Sequence, residues 1–396
     1  MEKKKKILFV LGGFSFGGTV FSTLNMISFL KERYDIYILP MKPYGPVREY
    51  YKNYNILDPS PIIKAIAYSP LSLENSFWER TKVFVFKGIR HLCKKTGVDF
   101  VDYAYKREAT RIMKRCHFDF VASTQELSST YFVSHFEGTK KIAWFRSEYS
   151  VYKDLLTEKQ LEEEQKIYRM FDKIVCVSKT TRDDFCKFFV DIEEKVVAIH
   201  NIQNTDNIIQ KSKEPVSDAF NKDVFNIVSV GRIARQKQFY LIPMIAYKLK
   251  NEYKLNFKWY IIGDGNVHGE RERLEEAFNK YDNRNYVICM GSRLNPYPYI
   301  SSADLLVNTS YYEACPRVVA EAKILHTPVV CSDFSSAREF VNNDVDGFVG
   351  TIEELPDIIS KLISDRSLYQ RIKVNCDNYC VDNDIIIYQL FEVFSD

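Results

Sequence analysis

The sequence predicts an α/β protein with two domains, each a parallel β-sheet covered by helices. The chain has 396 residues, and a domain takes up roughly 150 residues. Short β-branched runs alternate with helical periods, which is typical of parallel sheets. The same alternation restarts after a polar segment, so two such sheets are expected.

The first half of the chain alternates six predicted strands with helices. Each run is apolar and ends at turn residues, and helices are expected between the runs, notably at 19–34, 157–171 and 180–189. The strands are predicted at 7–11, 36–39, 118–122, 141–144, 173–177 and 196–199.

The second half repeats this order after a segment with the composition of a hinge. Residues 201–223 are polar, as is typical of an interdomain linker. We predict an N-terminal domain at 1–205, a hinge at 206–222 and a C-terminal domain at 223–379. An apolar helix is expected at 384–394, with a surface that must be buried. The strands of the second domain are predicted at 225–230, 259–262, 287–290, 305–308 and 328–331.

The composition argues against a nucleic-acid binder and against a membrane-spanning protein. The chain has 55 Lys and Arg against 52 Asp and Glu, and no recognised nucleic-acid module is present. Nine scattered cysteines favour a reducing, cytoplasmic compartment. No apolar run reaches the roughly 18 residues that a membrane span needs. Any membrane contact is therefore expected to be peripheral.

One segment, residues 80–117, is strongly basic. It holds eleven Lys or Arg against three acidic residues, interleaved with aromatic side chains such as Phe84 and Tyr103. Two interpretations stay open. The segment is either the solvated face of two helices or a surface that rests on an anionic membrane and attracts a lipid diphosphate-linked acceptor.

A glycine-rich turn follows the first predicted strand. Gly12-Gly-Phe-Ser-Phe-Gly-Gly18 leads directly into a helix, where backbone amides can meet a phosphate. Gly18 stands where a P-loop has its phosphate-binding lysine, and the dinucleotide order G-x-G-x-x-G is absent. A plain strand-helix turn remains the alternative.

The loop after strand 225–230 carries two cations, Arg232 and Lys237. Arginine binds phosphate in a bidentate way and lysine acts as a point charge, so such a pair can clamp a diphosphate. Either cation taken alone is more simply explained as a solvated loop residue.

The strongest signal is a pair of acids around a predicted helix at 316–325. Glu313 precedes Pro316, and proline suits the first turn of a helix, whose N-terminal amides are then available for an anion. Glu321 lies within the helix among apolar neighbours, an environment too apolar for an idle charge. Its carboxylate can accept two hydrogen bonds from a ribose.

Together these motifs resemble glycosyltransferase family 4. The family has the GT-B fold, in which two Rossmann-like domains face each other across a cleft. The donor is bound mainly by the C-terminal domain, and a last helix, here about 380–396, crosses back to the N-terminal domain, which binds the acceptor. The resemblance rests on Arg232 with Lys237, Ile261-Ile-Gly-Asp-Gly265, Asn295-Pro-Tyr-Pro-Tyr299, Ala303-Asp304, the E-x7-E pair Glu313 and Glu321, and Thr327-Pro-Val-Val330.

The resemblance also implies roles for individual residues. Arg232 and Lys237 would neutralise the leaving diphosphate, and Glu313 would contact the donor sugar; these three are the catalytic candidates. Ala314-Cys315 replaces the usual Gly-Phe of the family, which leaves the donor sugar open. Donor binding is further implied for Glu321, which would hold the ribose, and for Gly17, Gly18, Arg293, Pro316, Arg317 and Val318.

One departure from the family lies in the N-terminal domain. Many relatives carry a histidine after the strand that corresponds to 141–144, and here Arg146 stands in that place. Arginine cannot act as a neutral base. Arg146 and Glu148 are therefore candidates for acceptor or sugar contacts, with a structural role as the alternative.

The resemblance implies a retaining, metal-independent hexosyl transfer. The donor would be a nucleoside-diphosphate sugar, with UDP as the commoner nucleotide, and the acceptor a glycan or lipid-linked oligosaccharide in the synthesis of a surface polysaccharide such as a capsule. The six histidines are isolated in the sequence, which is consistent with no metal or other cofactor. The alternatives are a nucleotide-sugar epimerase of the same fold and a catalytically inactive nucleotide-sugar-binding subunit.

Overall fold

The computed structural model describes residues 4–15, 17–67, 81, 84–86, 88–89, 99–216, 220, 223–265 and 269–395. The chain forms two compact units. The first comprises Met1–Ile202 and Asp384–Asp396, and the second comprises Gln203–Asn383. The chain therefore passes from one unit to the other twice.

The first unit is built on a parallel sheet. Its strand β1 is apolar and almost wholly buried, as expected of a central strand with helices on both faces. The strands are β1 (Lys6–Leu11), β2 (Asp35–Pro40), β3 (Asn55–Ile56), β4 (Phe120–Ser123), β5 (Lys140–Phe145), β6 (Lys173–Cys176) and β7 (Val196–Ala198). Across the sheet their order is β3-β2-β1-β4-β5-β6-β7.

Helices connect these strands and cover the sheet. Thr157 begins one of them with a capping box, in which its hydroxyl and the Gln160 side chain each bond the other's backbone amide. The helices described are α1 (Gly18–Leu30), α2 (Pro61–Ala67), α3 (Phe100–Arg115), α4 (Ser128–Ser134), α5 (Tyr149–Tyr152), α6 (Glu158–Arg169) and α7 (Lys179–Cys186).

The second unit repeats the architecture with a six-stranded parallel sheet. Buried apolar side chains line both of its faces. The strands are β8 (Phe225–Val230), β9 (Phe257–Ile262), β10 (Val287–Gly291), β11 (Leu305–Asn308), β12 (Val329–Ser332) and β13 (Gly347–Gly350). Across the sheet their order is β10-β9-β8-β11-β12-β13.

The helices of the second unit begin before its first strand. They are α8 (Thr205–Ser212), α9 (Ile242–Asn251), α10 (Glu270–Tyr281), α11 (Tyr297–Ser302), α12 (Arg317–Ile324), α13 (Ala337–Phe340), α14 (Leu355–Ser364) and α15 (Arg366–Asp377). The predicted hinge at 206–222 thus contains most of a helix that belongs to the second unit, because Ile208 is buried in the core of that unit.

A last helix, α16 (Asn383–Val393), returns the chain to the first unit. Phe394, which follows it, stacks on Trp144 with ring centroids 5.9 Å apart and also packs against Phe9. The Tyr34 hydroxyl donates a hydrogen bond to the Phe394 carbonyl oxygen at 3.1 Å. Within α16, Ile386, Leu390 and Val393 are buried, whereas Ile385 and Tyr388 are exposed, so part of its apolar surface is covered.

The sequence analysis does not predict two of the strands, β3 and β13. β3 has only two residues, too few for a pattern. β13 begins and ends with glycine, which weakens a strand signal, yet Gly347 is needed there because a Cβ would lie 2.3 Å from the Val329 carbonyl oxygen. Gly347 thus weakens the strand signal in the sequence and also allows β13 to pair closely with β12.

Candidate active site

The candidate site of the second unit lies at the carboxyl ends of β8 and β11, in the middle of the sheet. The chain continues from β8 to β9 on one side and from β11 to β12 on the other. The loops that follow β8 and β11 therefore emerge side by side. Open α/β sheets bind ligands at such a topological switch point, and here loops 231–238 and 309–316 carry Arg232, Lys237 and Glu313.

Hydrogen bonds join these two loops. Thr309 Oγ1 donates to the Lys237 carbonyl oxygen at 2.8 Å. The Tyr311 amide donates to the Gln236 carbonyl oxygen at 2.7 Å, and Gln236 Nε2 donates to the Tyr312 carbonyl oxygen at 2.9 Å. The two loops thus form one connected surface, which fixes Lys237 relative to the segment that carries Glu313.

Lys237 and Glu313 form an ion pair across the loops. The Lys237 ammonium contacts Glu313 Oε1, and the two side chains are only 18% and 10% exposed. Ser310 Oγ lies 2.8 Å from the same carboxylate oxygen and 2.6 Å from Asn308 Oδ1. Ser336 Oγ donates to the Glu313 carbonyl oxygen at 2.5 Å. Both the carboxylate and the backbone of Glu313 are therefore held in place.

Glu321 lies on α12, four residues after Arg317. Arg317 Nη2 donates to Glu321 Oε1 at 2.9 Å, and the Tyr297 hydroxyl hydrogen bonds to the same carboxyl group. Burial raises the pKa of Glu321, while the charges of Arg317 and then Lys237 act to lower it. Lys237 is thus within electrostatic range of Glu321 as well as paired with Glu313. We call Lys237, Glu313, Arg317 and Glu321 the switch-point cluster.

The start of α12 offers backbone donors beside this cluster. Pro316 precedes the helix and has no N–H, so the first amides belong to Arg317 and Val318. No side chain caps this helix start, and no acidic residue lies in its first turn. An anion is favoured at such a position, as the sequence predicts.

Two predicted cations lie outside the switch-point cluster. Arg232 is exposed, and its side chain forms no hydrogen bond or ion pair with any residue that the structure describes. Arg293 follows β10, two strands away from β8, and its Nε donates to the Tyr299 hydroxyl at 3.2 Å. Arg232 is thus available to a ligand, whereas Arg293 is engaged with a tyrosine.

The glycine-rich turn of the first unit joins β1 to α1. A Cβ at Gly13 would lie 2.8 Å from the Lys42 Cβ, so packing requires this glycine. At Gly17, in contrast, a Cβ would have no described atom within 4 Å. Gly17 and Gly18 begin α1, and no side chain caps its first turn. The turn therefore combines a structurally required glycine with an open helix start.

Arg146 is engaged at four places within the first unit. Its amide donates to Glu126 Oε1 at 2.5 Å, and Nε donates to the Thr124 carbonyl oxygen at 2.7 Å. Nη1 lies 2.9 Å from Ser22 Oγ and 2.7 Å from Asn201 Oδ1. These bonds tie the segment after β4, helix α1 and the segment after β7 together. They favour the structural interpretation of Arg146 over a substrate contact.

Glu148, the second candidate of the first unit, is 8% exposed. It precedes α5, and its carbonyl oxygen accepts a hydrogen bond from the Tyr152 amide at 2.8 Å. This burial leaves little of its surface for an acceptor.

The basic segment at 80–117 is described only in part. On α3, Lys106, Arg107, Lys114 and Arg115 are exposed, while Tyr105 is buried on the opposite face. These basic side chains thus lie on an exposed helix face, and both interpretations of the segment stay open. Arg111 is partly buried and pairs with Glu108. The remaining six predicted cations, Arg80, Lys82, Lys87, Arg90, Lys94 and Lys95, lie outside the described residues.

Two searches gave negative findings for the described ranges. There, no three His, Cys, Asp or Glu side chains come together as ligands for a metal ion. Each helix in that part of the chain is also too short or too polar to cross a bilayer.

Sequence analysis missed three contributions to the site. Ser310 precedes Glu313 by three residues, and Tyr297 lies within the Asn295–Tyr299 motif without a role of its own. The Arg317 side chain was also overlooked, although a spacing of four places it and Glu321 on one helix face. The Ser310 and Arg317 contacts are local, three and four residues from their acids, whereas the Tyr297 contact depends on how separate elements meet.

Comparison with protein families identifies the segment that carries this site. Residues 210–378 match the family model described as glycosyl transferases group 1. The matched range contains the whole switch-point cluster and nearly all of the second unit.

Curated relatives resemble part of the chain. It is 29% identical over 201 residues to the uncharacterized glycosyltransferase MJ1059 of Methanocaldococcus jannaschii, covering 49% of this chain and 48% of the relative. It is 21% identical over 207 residues to the Escherichia coli UDP-Gal:alpha-D-GlcNAc-diphosphoundecaprenol alpha-1,3-galactosyltransferase, covering 52% and 51%. The chain spans about half the length of the curated relatives it matches.

A solved structure resembles the chain over its full length. Anabaena Alr3699/HepE, crystallised with UDP and glucose, superposes with a TM-score of 0.74 at 16% identity and covers 99% of this chain and 100% of that chain. This likeness shows the fold. The GT-B fold predicted from the sequence, with two parallel-sheet units, is confirmed.

Proposed function

We propose that this protein is a retaining glycosyltransferase that takes a hexose from a nucleoside-diphosphate sugar without a metal ion. The observation that supports it most is the switch-point cluster. There a lysine and an arginine meet the two E-x7-E acids at the carboxyl ends of β8 and β11. The cluster lies within the segment that matches the glycosyl transferases group 1 model.

The donor is proposed to bind with its diphosphate between Lys237 and Arg232. The start of α12 adds amides from Arg317 and Val318, which favour an anion. Glu321, with one carboxylate oxygen bonded to Arg317, would use its remaining acceptor capacity for the ribose hydroxyls. Glu313 would accept a hydrogen bond from a hydroxyl of the sugar.

In the proposed transfer step, the bond between the anomeric carbon and the phosphate oxygen breaks. The acceptor oxygen forms the new bond to that carbon on the same face, and its proton passes to the leaving phosphate. Negative charge grows on the diphosphate as the bond breaks. Fixed cations and helix amides stabilise that charge most in the transition state, which is how they accelerate the reaction.

UDP is the proposed nucleotide. HepE was crystallised with UDP and glucose, and the name of the Escherichia coli relative specifies UDP-Gal. Both proteins are distant from this chain in sequence, so their ligands supply the first donors to test.

A glycan or lipid-linked oligosaccharide in surface-polysaccharide synthesis is the proposed acceptor. The name of the Escherichia coli relative specifies a diphosphoundecaprenol acceptor. The exposed basic face of α3 would attract an anionic membrane surface and the diphosphate of such a lipid. The protein would then act in the cytoplasm, peripherally on the inner face of the membrane.

Slow donor hydrolysis tests the proposal without knowledge of the acceptor. Purified protein is incubated with UDP-glucose, UDP-galactose or UDP-N-acetylglucosamine, with and without EDTA, and the released sugar is followed by NMR. We expect release of UDP in EDTA and initial appearance of the sugar as its α-anomer. A parallel incubation with lipid-linked acceptors should give a faster release of UDP.

Other results would replace the proposal. Conversion of the donor into an epimer, with the sugar still on UDP, would identify an epimerase. Binding of the donor without turnover under any condition would identify an inactive sugar-nucleotide-binding subunit. Release of UDP only with a divalent cation would overturn metal independence.

A further inference from the structure

We propose that Ser310 is a positioning residue, which holds the Glu313 carboxylate when the donor diphosphate draws Lys237 away from it. The inference rests on the proposed function, because it assigns the phosphate to Lys237. The reaction would then depend on the buried Ser310 hydroxyl in addition to the switch-point cluster.

The starting point is that Lys237 has two uses. Its ammonium contacts the Glu313 carboxylate, and the same ammonium is the proposed partner of the diphosphate. A diphosphate offers more negative charge than one carboxylate, so donor binding moves the lysine toward the phosphate. Glu313 then loses its cation while its side chain stays only 10% exposed.

A carboxylate in that position needs another hydrogen-bond donor, since burying an unpaired charge is costly. Ser310 Oγ lies 2.8 Å from Glu313 Oε1. The hydroxyl has a single proton, and its other acceptor within reach is Asn308 Oδ1 at 2.6 Å. The proton can therefore be given to Glu313 when the lysine moves.

Ser310 is itself held rigidly. Its amide donates to Asn308 Oδ1 at 3.0 Å, and its carbonyl oxygen accepts from Ser332 Oγ at 2.6 Å. Ser310 is only 1% exposed, so it can act on the substrate only through Glu313. Its role is to aim the carboxylate at the sugar.

This arrangement predicts different effects of a Ser310 variant on the binding of the nucleotide and on the use of the sugar donor. UDP draws Lys237 away and leaves the Glu313 carboxylate to the Ser310 hydroxyl, whereas a UDP-hexose also needs Glu313 aimed at the sugar. Loss of the Ser310 hydroxyl should therefore weaken UDP binding, because Glu313 is then buried without a hydrogen-bond donor, and lower the use of the sugar donor by a larger factor. A role in folding alone would not distinguish the two ligands.

The experiment compares Ser310→Ala and Ser310→Thr with the wild type. The Kd of UDP is measured by calorimetry, and kcat and KM are measured with UDP-glucose or UDP-galactose, whichever the wild type binds more tightly. In Ser310→Ala we expect the UDP Kd to rise about tenfold, as for one hydrogen bond to a charged group, and kcat/KM to fall by a larger factor. Ser310→Thr keeps the hydroxyl and should restore most of kcat/KM.

Ser332→Ala is the matched control. It removes a buried hydroxyl that bonds the same loop through the Asn308 and Ser310 carbonyl oxygens but has no bond to the Glu313 carboxylate. We expect a similar loss of thermal stability and a smaller change in kcat/KM than in Ser310→Ala. Equal changes in kcat/KM in the two variants would overturn the positioning role.

Glu313→Gln tests the movement of the lysine. A neutral amide holds Lys237 less strongly, so this variant should bind UDP several-fold more tightly than the wild type while its turnover falls. Unchanged or weaker UDP binding would overturn the exchange of partners. If the wild type binds neither UDP nor a UDP-hexose, the proposed function fails first and this inference fails with it.

Discussion

The two units have the same strand order around the middle of the sheet, but they use the switch point there differently. In the first sheet the chain turns in opposite directions from β1 and β4, as it does from β8 and β11 in the second. Beside the switch point of the first sheet, the Arg146 side chain joins neighbouring segments through its hydrogen bonds. Beside the switch point of the second sheet, Lys237 pairs with the Glu313 carboxylate, which the donor diphosphate is proposed to replace. Similar topology thus supports cohesion in one unit and a charged site in the other.

The difference follows from which groups satisfy the charges. Among the partners of the Arg146 guanidinium are a carbonyl oxygen, a hydroxyl and a side-chain amide, which are neutral groups fixed by the fold. The partner of Lys237 is a carboxylate, and a phosphate can compete with it. A cation held by neutral groups of its own unit is a structural element, whereas a cation opposite an exchangeable acid is suited to binding.

The largest expected effect comes from Lys237→Met. This change removes a fixed cation from beside the leaving diphosphate, so we expect kcat/KM to fall by about 10²- to 10³-fold, as when one such donor is removed from a preorganised site. Steady-state kinetics with UDP-glucose or UDP-galactose, whichever the wild type binds more tightly, measures the loss. Lys361→Met, at an exposed position on α14, serves as control and should keep its activity. A fall of less than threefold in Lys237→Met would remove this residue from the site.

Arg146→Met should mainly lower stability. The variant loses the three side-chain hydrogen bonds to Thr124, Ser22 and Asn201, and the free energy of unfolding should fall by about 2 to 4 kcal/mol. Urea unfolding followed by circular dichroism measures this change. Activity per folded molecule should fall much less than in Lys237→Met. Normal stability with lost activity would instead place Arg146 among the substrate contacts.

Two alanine substitutions test separate roles of glycines in the glycine-rich turn of the first unit. Gly13→Ala should lower stability by about 1 to 3 kcal/mol, because the new Cβ would overlap with Lys42 and overpacking costs this much. Gly17→Ala has room for its Cβ among the described residues and should fold normally. If Gly17 meets the donor, as the family resemblance implies, the KM for the UDP-hexose rises in that variant. An unchanged KM would make the turn purely structural.

The smallest effect concerns a buried acid of the first unit, Glu164. It is 8% exposed, its carboxyl accepts a hydrogen bond from the Tyr152 hydroxyl, and burial raises its pKa from 4.5 to about 7. The folded state therefore favours the protonated acid. The stability that it contributes is complete below pH 4.5 and is lost as the pH rises through 7.

Glu164→Gln should remove most of this dependence. Thermal unfolding midpoints at pH 5, 6, 7 and 8, that is across the raised pKa of Glu164, should decline in the wild type and decline less in the variant. Because Glu164 belongs to the first unit, UDP binding should keep the same pH profile in both proteins. Parallel unfolding profiles would show that Glu164 is ionised throughout.

Much of this fold can be predicted from the sequence because parallel strands leave a simple pattern. Buried runs such as β1 and β8 are apolar along their whole length, and turn residues end them. The prediction fails for β13, where the need for close backbone packing selects glycine over β-branched residues. It also leaves out α8, because this helix is mostly polar and buries little beyond Ile208; the hinge itself stays a prediction.

The site can be predicted in part for a similar reason. The E-x7-E spacing and the cations after β8 lie within short stretches of sequence, so the pattern indicates them. The contacts between Lys237 and Glu313, or between Arg146 and Asn201, depend on how loops from separate strands meet. The spacing of residues in the sequence does not predict such contacts. The roles of the individual site residues stay predictions until they are tested by mutation.

The central claim is that the switch-point cluster binds a nucleoside diphosphate through its acids and cations. The most direct measurement is the unfolding midpoint of the wild type and of Glu321→Ala with UDP, GDP or ADP in EDTA. A ligand at about 100 times its Kd adds roughly 2.7 kcal/mol to stability, which raises the midpoint measurably. We predict that one diphosphate, UDP, stabilises the wild type and that Glu321→Ala loses most of this shift. No shift with any diphosphate, or an equal shift in the variant, would contradict the account.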